Sequence, residues 1–236
     1  MQKLIEIGCG EGFNSSVLQM KKNVLVTGVD LSEKNIKVAK ERYPHINFLQ
    51  MNVESLEFQE ASFDEIYAMD ILEHVDCLDS VIKECVRVLK VEGKFIINIP
   101  AEKSERWLLK IRPTYFHEIH HVRIFKHDDL ENLLSRYGFI VKYKKPKGFL
   151  QHIELYYLFT RNNKSSDSQL GIGHWRDSIA TKLIHSSLIF FDPIVLKTPL
   201  KYVPFWIITV PIGFVINYIG NKIFPKSWYY EFEKRY

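Results

Sequence analysis

The run Glu6-Ile7-Gly8-Cys9-Gly10-Glu11-Gly12 is the first place where this chain could do chemistry. Alternate glycines let the backbone turn sharply and let a ligand come close to the main chain. The pattern is Gly-x-Gly-x-Gly, not the Gly-x-Gly-x-x-Gly of a dinucleotide site, so no amide cradle for a pyrophosphate is implied. Glu6, two residues ahead of the first glycine, can take a ligand's amino group. Asp30 follows Gly12 by 18 residues and closes the next apolar run. In nucleoside-binding α/β folds an acidic side chain at that place accepts the ribose hydroxyls. Asn52, or the main-chain N–H of Val53, follows a third run and can read the amino edge of an adenine.

Histidines supply the second kind of chemistry. His74, His117, His120 and His121 lie between the fourth run and the last amphipathic segment. An imidazole is the natural general base near neutral pH. His121 is the first candidate for that role and His74 the second. A structural or orienting role is the plain alternative. His117 and His121, four residues apart with Glu118 between them, could hold a metal if that stretch were helical. The reading adopted here has no metal site. Cys9, Cys77 and Cys85 show no Cys-x-x-Cys spacing and read as reduced thiols.

Elements must position these groups. Leu4–Ile7, Val24–Asp30, Ile46–Gln50, Phe63–Met69, Lys94–Pro100 and Phe139–Tyr143 are short apolar runs that predict strands. Asn14–Lys21, Glu33–Arg42 (with Ser32 as its N-cap), Cys77–Leu89 (ended by Gly93) and Asp128–Tyr137 (stopped by Gly138) predict helices. Strands that alternate with helices predict a doubly wound, mostly parallel α/β sheet. Ser227–Arg235 alternates in strand fashion and is read as a seventh strand, antiparallel between the fifth and sixth. Ile153–Thr160 competes for that place.

The fourth strand runs into Met69-Asp70-Ile71-Leu72-Glu73-His74-Val75. Leu-Glu-His-Val after Phe63-Asp64-Glu65-Ile66, then Cys85 to Ile97, resembles the small-molecule methyltransferases that use S-adenosylmethionine (SAM), a group that includes the ubiquinone-biosynthesis O-methyltransferases. His121-Val-Arg-Ile-Phe125, Leu130 to Leu134 and Gly138-Phe139 resemble the group's last helix and strand. The likeness covers roughly residues 2–145. It implies a Rossmann-like methyltransferase fold with seven strands and SAM as cofactor. It implies that Glu6, Gly8, Cys9, Gly10 and Gly12 line the cofactor. Asp30 would take the ribose, Asn52 and Val53 the adenine, and Met69, Asp70 and Leu72 the methionine side, with Leu31 also counted among the cofactor-binding residues. His74 would lie at the floor between cofactor and acceptor. The group usually carries one or two helices before the first strand. Here that strand starts almost at Met1, so either the chain is truncated or the lid comes from elsewhere. Asn-Pro-Pro-Tyr does not follow the fourth strand, which argues against amide- and adenine-amino-directed relatives.

Charge is unevenly spread. Residues 142–236 hold 14 Lys/Arg against 6 Asp/Glu, while the whole chain of 236 residues is only +4. Val203–Asn221 carries no charge and is flanked by lysines, but its prolines make a poor straight helix. Aromatic residues beside lysines suit a membrane interface. The expected organisation is a SAM-binding domain over 1–146, an apolar helical insertion over 147–225 and a last sheet strand over 226–236. The expected function is methyl transfer to a small or lipid-linked acceptor, at oxygen, near a membrane surface. No signal peptide pattern is present, so the expected place is cytoplasmic, peripheral to the inner face of the membrane. A noncatalytic SAM-binding subunit, or a C- or N-methyltransferase, is the alternative. Nucleic acid is not an expected partner, because the positive charge alternates with long aliphatic runs rather than forming a stripe.

Overall fold

Leu4, Ile5 and Ile7 of β1 (Gln2–Ile7) are all fully buried. Successive side chains of a strand point to opposite faces, so a run apolar on both faces belongs in the middle of a covered sheet. That is where β1 lies. The computed structural model describes residues 1–21, 24–126, 128–148 and 218–236. Its strands are β1, β2 (Val24–Asp30), β3 (Asn47–Gln50), β4 (Phe63–Met69), β5 (Leu89–Pro100), β6 (Phe139–Lys147) and β7 (Ser227–Lys234). They form one seven-stranded sheet in the order β3-β2-β1-β4-β5-β7-β6. The pairs from β3 through β5 are parallel.

β7 runs antiparallel to β5, with Ile97 opposite Tyr230. The bonds Arg235 N–H to Gly138 O (3.0 Å) and Lys226 N–H to Lys147 O (2.9 Å) mark the two ends of its pairing with β6.

The helices are α1 (Phe13–Gln19), α2 (Glu33–Arg42), α3 (Leu78–Val88), α4 (Glu102–Ile111), α5 (Tyr115–Ile119) and α6 (Asp129–Ser135), and residues 218–223 are helical as well. On one side of the sheet, Val81, Ile82, Cys85 and Val88 of α3 and Leu130 and Leu134 of α6 share a core with Ile5, Ile66, Phe95, Ile97 and Phe232. On the other, Leu18 of α1 and Ile36 and Ala39 of α2 share a core with Leu4, Val26, Phe48 and Ile96.

The structure differs from the sequence reading at three places. The fifth strand was expected from Lys94 but starts at Leu89, which pairs with Phe63 ahead of a register shift. Gly93 therefore sits inside an irregular strand and does not end a helix. α3 stops at Val88, and the buried Lys234 of β7 donates to the carbonyls of Val86 and Leu89, both at 2.8 Å. The third difference is α4 and α5, which lie where no element was expected.

The chain divides into two compact units. One comprises Met1–Glu102, His120–Lys145 and Ser227–Tyr236; the other comprises Lys103–Ile119 and Pro146–Lys226. Within the second, Leu108 and Tyr115 pack with Trp107, Leu109, Phe116 and Ile119. Most of the apolar insertion expected over 147–225, and the competing strand Ile153–Thr160, lie outside the described residues. No helix among the described residues is long and apolar enough to cross a membrane.

The strand order reverses between β1 and β4. In an open α/β sheet a ligand settles at such a point, beyond the carboxyl ends of the strands. The glycine loop after β1, Asp30 at the end of β2 and the Asp70–Asp76 segment after β4 all emerge at that edge.

Candidate active site

The loop after β1 is tied to its neighbours by main-chain bonds. Cys9 N–H donates to Val29 O (2.9 Å) and Gly12 N–H to Cys9 O (3.0 Å). Gly10 and Gly12 both have left-handed φ, at +52° and +83°, but face different surroundings. A Cβ on Gly12 would lie 2.6 Å from the Phe48 ring, so that glycine serves packing. A Cβ on Gly10 would meet nothing within 4 Å. Gly10 therefore presents bare backbone to open space, which is what a ligand needs for close approach. The Cys9 thiol is buried, and burial pushes its pKa far above the usual thiol range, so it is a packing residue and not a nucleophile.

Asp30 holds the loop from the side. Its Oδ2 accepts the Gly10 N–H at 2.8 Å; its Oδ1 accepts the Ser32 N–H at 2.9 Å and the Asn35 Nδ2–H at 3.3 Å. A carboxylate offers about four acceptor positions. These bonds leave one on Oδ2 for a hydroxyl, and a second hydroxyl would have to compete with Asn35.

Glu6 lies beneath the loop at 1% exposure and accepts the Ser15 hydroxyl at 2.5 Å. Burial is the largest influence on its carboxyl and raises its pKa to about 7, against the pull of the Ser15 and Asn14 hydrogen bonds. It is placed to brace the loop on α1.

The remaining expected cofactor residues are scattered in character. Leu31 is 68% exposed beside Asp30 and offers an apolar surface. Asn52 is exposed, and its Oδ1 accepts the Glu54 N–H at 2.9 Å, closing a local turn. Val53 has its side chain in the core, so only its main chain can face a ligand. Leu72 is likewise fully buried. Met69 is half-buried at the end of β4. Asp70, at φ +54°, donates its N–H to Asn98 O (3.0 Å) and accepts Asn98 Nδ2–H on Oδ1 (2.6 Å).

The two candidate bases come together. The rings of His74 and His121 meet edge to face with centroids 4.6 Å apart. His74 Nδ1 lies 3.1 Å from the His120 carbonyl oxygen. A carbonyl can only accept, so Nδ1 carries the proton and Nε2 keeps its lone pair. Burial first, then the neighbouring His121, lowers the pKa of His74. His74 is thus held as a neutral imidazole with one nitrogen ready to take a proton.

The segment 120–123 is fastened along the loop after β4. Val122 N–H donates to Glu73 O at 2.9 Å. The Arg123 guanidinium donates to Leu72 O at 2.5 Å and to Asp76 O at 2.9 Å. These bonds bring together residues 47 to 51 positions apart.

Glu73 and Arg123 were not singled out from the sequence. The Glu73 side chain is 1% exposed, with Oε1 4.0 Å from His121 Nε2. Donor atoms of Glu73, His74 and His121 all lie within 4.8 Å of one another, close enough to share a proton or a cation. The available signal was an acidic residue between Leu72 and His74 in an otherwise apolar run. Glu118 has different partners: Arg112 Nε–H at 2.9 Å and the Thr114 hydroxyl at 2.5 Å both donate to its Oε1. Among the described residues, the His117-Glu118-His121 trio is not one of the gathered donor groups.

Residues 5–97 match the family model described as "Methyltransferase domain". A ubiquinone biosynthesis O-methyltransferase from Idiomarina loihiensis is 34% identical over 115 residues, 47% of this chain and 47% of that protein. The chain thus matches about half the length of that relative. The geranyl diphosphate C-methyltransferase of Streptomyces coelicolor, solved with Mg2+, geranyl diphosphate and S-adenosyl-L-homocysteine, aligns with a TM-score of 0.62 at 13% identity, covering 99% of this chain and 73% of its own. The YcgJ protein of Bacillus subtilis aligns with a TM-score of 0.56 at 19% identity, covering 100% and 92%. At these identities the two structures speak for the fold.

Proposed function

Since the chain carries a class I SAM-dependent methyltransferase domain, we propose that it transfers a methyl group from SAM to an oxygen of a small or lipid-linked acceptor. The observation that carries this reading is the convergence of three features at one sheet edge. They are the open backbone at Gly10, the carboxylate of Asp30 and the His74–His121 pair. The fit to SAM rests on the space in front of Gly10, which a Cβ would begin to fill, and on the acceptor position left on Asp30 Oδ2.

Asp30 would accept a ribose hydroxyl, Leu31 would cover the adenine, and the main chain at Val53 would read its edge. The main chain from Met69 to Leu72 would follow the methionine part. The cofactor supplies an electrophilic methyl on a sulfonium, which the acceptor oxygen takes while the C–S electron pair returns to sulfur. The protein's work is to align the acceptor and to receive its hydroxyl proton. His74 Nε2, with its tautomer fixed by the His120 carbonyl, is suited to receive it. His121 beside it can share the charge.

The test is SAM binding by calorimetry, comparing the intact chain with Asp30→Ala. Loss of the ribose contact should cost about 1.5–3 kcal/mol, about tenfold to a hundredfold in affinity. No binding by the intact chain would overturn the reading.

A membrane surface is the proposed setting. Tyr218, Ile219 and Ile223 are exposed in a helical stretch beside Lys222, and the C-terminal part is strongly basic. Exposed apolar side chains next to lysine fit an anionic lipid interface. The full chain should sediment with anionic vesicles, and part of that binding should survive high salt through the apolar contacts. Failure to sediment at any salt concentration would remove the membrane from the proposal.

A further inference from the structure

Asp30 divides its carboxylate between two tasks. Oδ1 serves its own turn: it accepts the Ser32 N–H at 2.9 Å and the Asn35 Nδ2–H at 3.3 Å. A carboxylate oxygen has two lone pairs, so these two donors fill Oδ1. Oδ2 serves the glycine loop: it accepts the Gly10 N–H at 2.8 Å and keeps one lone pair. The turn is pinned in this arrangement from the end of β3. Met51 N–H donates to the Asp30 carbonyl at 3.0 Å, and Gln50 Nε2–H to the Leu31 carbonyl at 3.2 Å. Asn35 is fixed as well. It stands in the first turn of α2, half-buried, and its N–H donates to the Ser32 hydroxyl at 3.3 Å.

A ribose presents two neighbouring hydroxyls, and a carboxylate with both oxygens open could take one on each. Here only Oδ2 has room. We propose that Asn35 is a specificity-determining residue for the cofactor: it occupies the second acceptor position of Asp30, so that the chain holds the ribose by a single hydroxyl on Oδ2. The proposal rests on the SAM reading above. It leaves the other hydroxyl without a share in binding, so cofactor analogues altered at that hydroxyl should still be held. The contest for Oδ1 favours Asn35. Its amide is already fixed beside the carboxylate by the helix that carries it, so keeping this bond orders nothing new. A hydroxyl that displaced it would make one hydrogen bond for the one it broke, and would leave the amide to find another partner.

The experiment is calorimetry on the full chain with S-adenosylhomocysteine and its 2′-deoxy and 3′-deoxy analogues. In the parent chain one analogue should bind within about twofold of S-adenosylhomocysteine. The other should bind about tenfold or more weaker, because it lacks the hydroxyl bound to a charged acceptor. In Asn35→Ala the position on Oδ1 opens. S-adenosylhomocysteine should then bind about threefold to tenfold tighter, while the tolerated analogue gains nothing. Alanine suits this helical position, so the variant keeps the fold. A merely structural role for Asn35 would move all three ligands alike, and that result would sink the proposal. An equal loss for both analogues in the parent chain would also sink it, since Asp30 would then take both hydroxyls despite Asn35. Two further results would do the same. Weaker binding of S-adenosylhomocysteine by Asn35→Ala would make the Asn35 amide itself a ribose ligand. Full binding of both analogues by the parent chain would place the ribose away from Asp30. No binding of S-adenosylhomocysteine by the parent chain would remove the cofactor reading itself, and the proposal with it, so the two failures are told apart.

Discussion

Replacing Gly10 with valine is expected to weaken SAM binding by about a hundredfold or more, roughly 2.7 kcal/mol, while most of the fold's stability remains. The residue has left-handed φ, and a Cβ there enters open space. A branched side chain in that conformation costs about 1–2 kcal/mol. Its Cβ meets nothing within 4 Å, and the side chain stands where the cofactor must lie against the backbone. Gly12→Val should behave in the opposite way. At φ +83°, with the Phe48 ring 2.6 Å from the added Cβ and Ala39 at 3.0 Å, it strains the backbone and overpacks the second core. The two costs together are about 2–5 kcal/mol. The fraction that still folds should bind SAM within about threefold of the parent. Urea denaturation and calorimetry on both variants check the contrast. Parent-like affinity in Gly10→Val would remove this loop from the cofactor site.

Replacing His74 with asparagine is expected to lower the rate of methyl transfer by about 10²–10⁴, with SAM affinity unchanged. The scale is that of losing a positioned general base. His74 fits the role because its Nδ1–H is committed to the His120 carbonyl and its imidazole is held neutral by burial and by His121. His121→Asn should fall in the same range. The double variant should fall little further, because the two rings handle one proton and groups that act as a unit are not additive. His45→Asn, on the exposed turn before β3, is the control and should leave the rate unchanged. The assay follows conversion of SAM to S-adenosylhomocysteine with small phenols and lipid extracts as acceptors. A rate that survives in the double variant would show that the acceptor needs no base, as is expected of a nitrogen nucleophile.

Much of the fold was legible because its signals are local. Leu4–Ile7, Val24–Asp30 and Phe63–Met69 are apolar runs too short for helices, and each ends at a glycine or an acidic residue. Ser32 reads as a helix cap and accepts the Asn35 N–H as a cap should, at 3.3 Å. The glycine spacing and the place of Asp30 foretold that the loop and the carboxylate would lie together, and the Gly10–Asp30 bond joins them.

The boundary between α3 and β5 was not legible. Gly93 looked like a helix stop, yet Leu89 gains more from pairing with Phe63 and burying its side chain than from extending the helix. Carbonyls at the junction of α3 and β5 find Lys234, 145 residues away in the chain from Leu89. A local reading cannot foresee a partner at that distance.

The same holds at the candidate active site. Sequence by itself determined the residue types that could act there: a bare glycine loop, an acid at the end of the second strand, histidines after the fourth. Only the tertiary structure decided which histidines meet, which nitrogen of His74 holds its proton, and that Glu73 lies buried against His121. Those facts depend on Val122 and Arg123 binding the carbonyls of Glu73, Leu72 and Asp76 across the fold. Hydrogen bonds of this kind, from distant donors to main-chain carbonyls, leave no local pattern along the chain. They form because buried carbonyls must find donors, and the folded sheet brings the donors within reach.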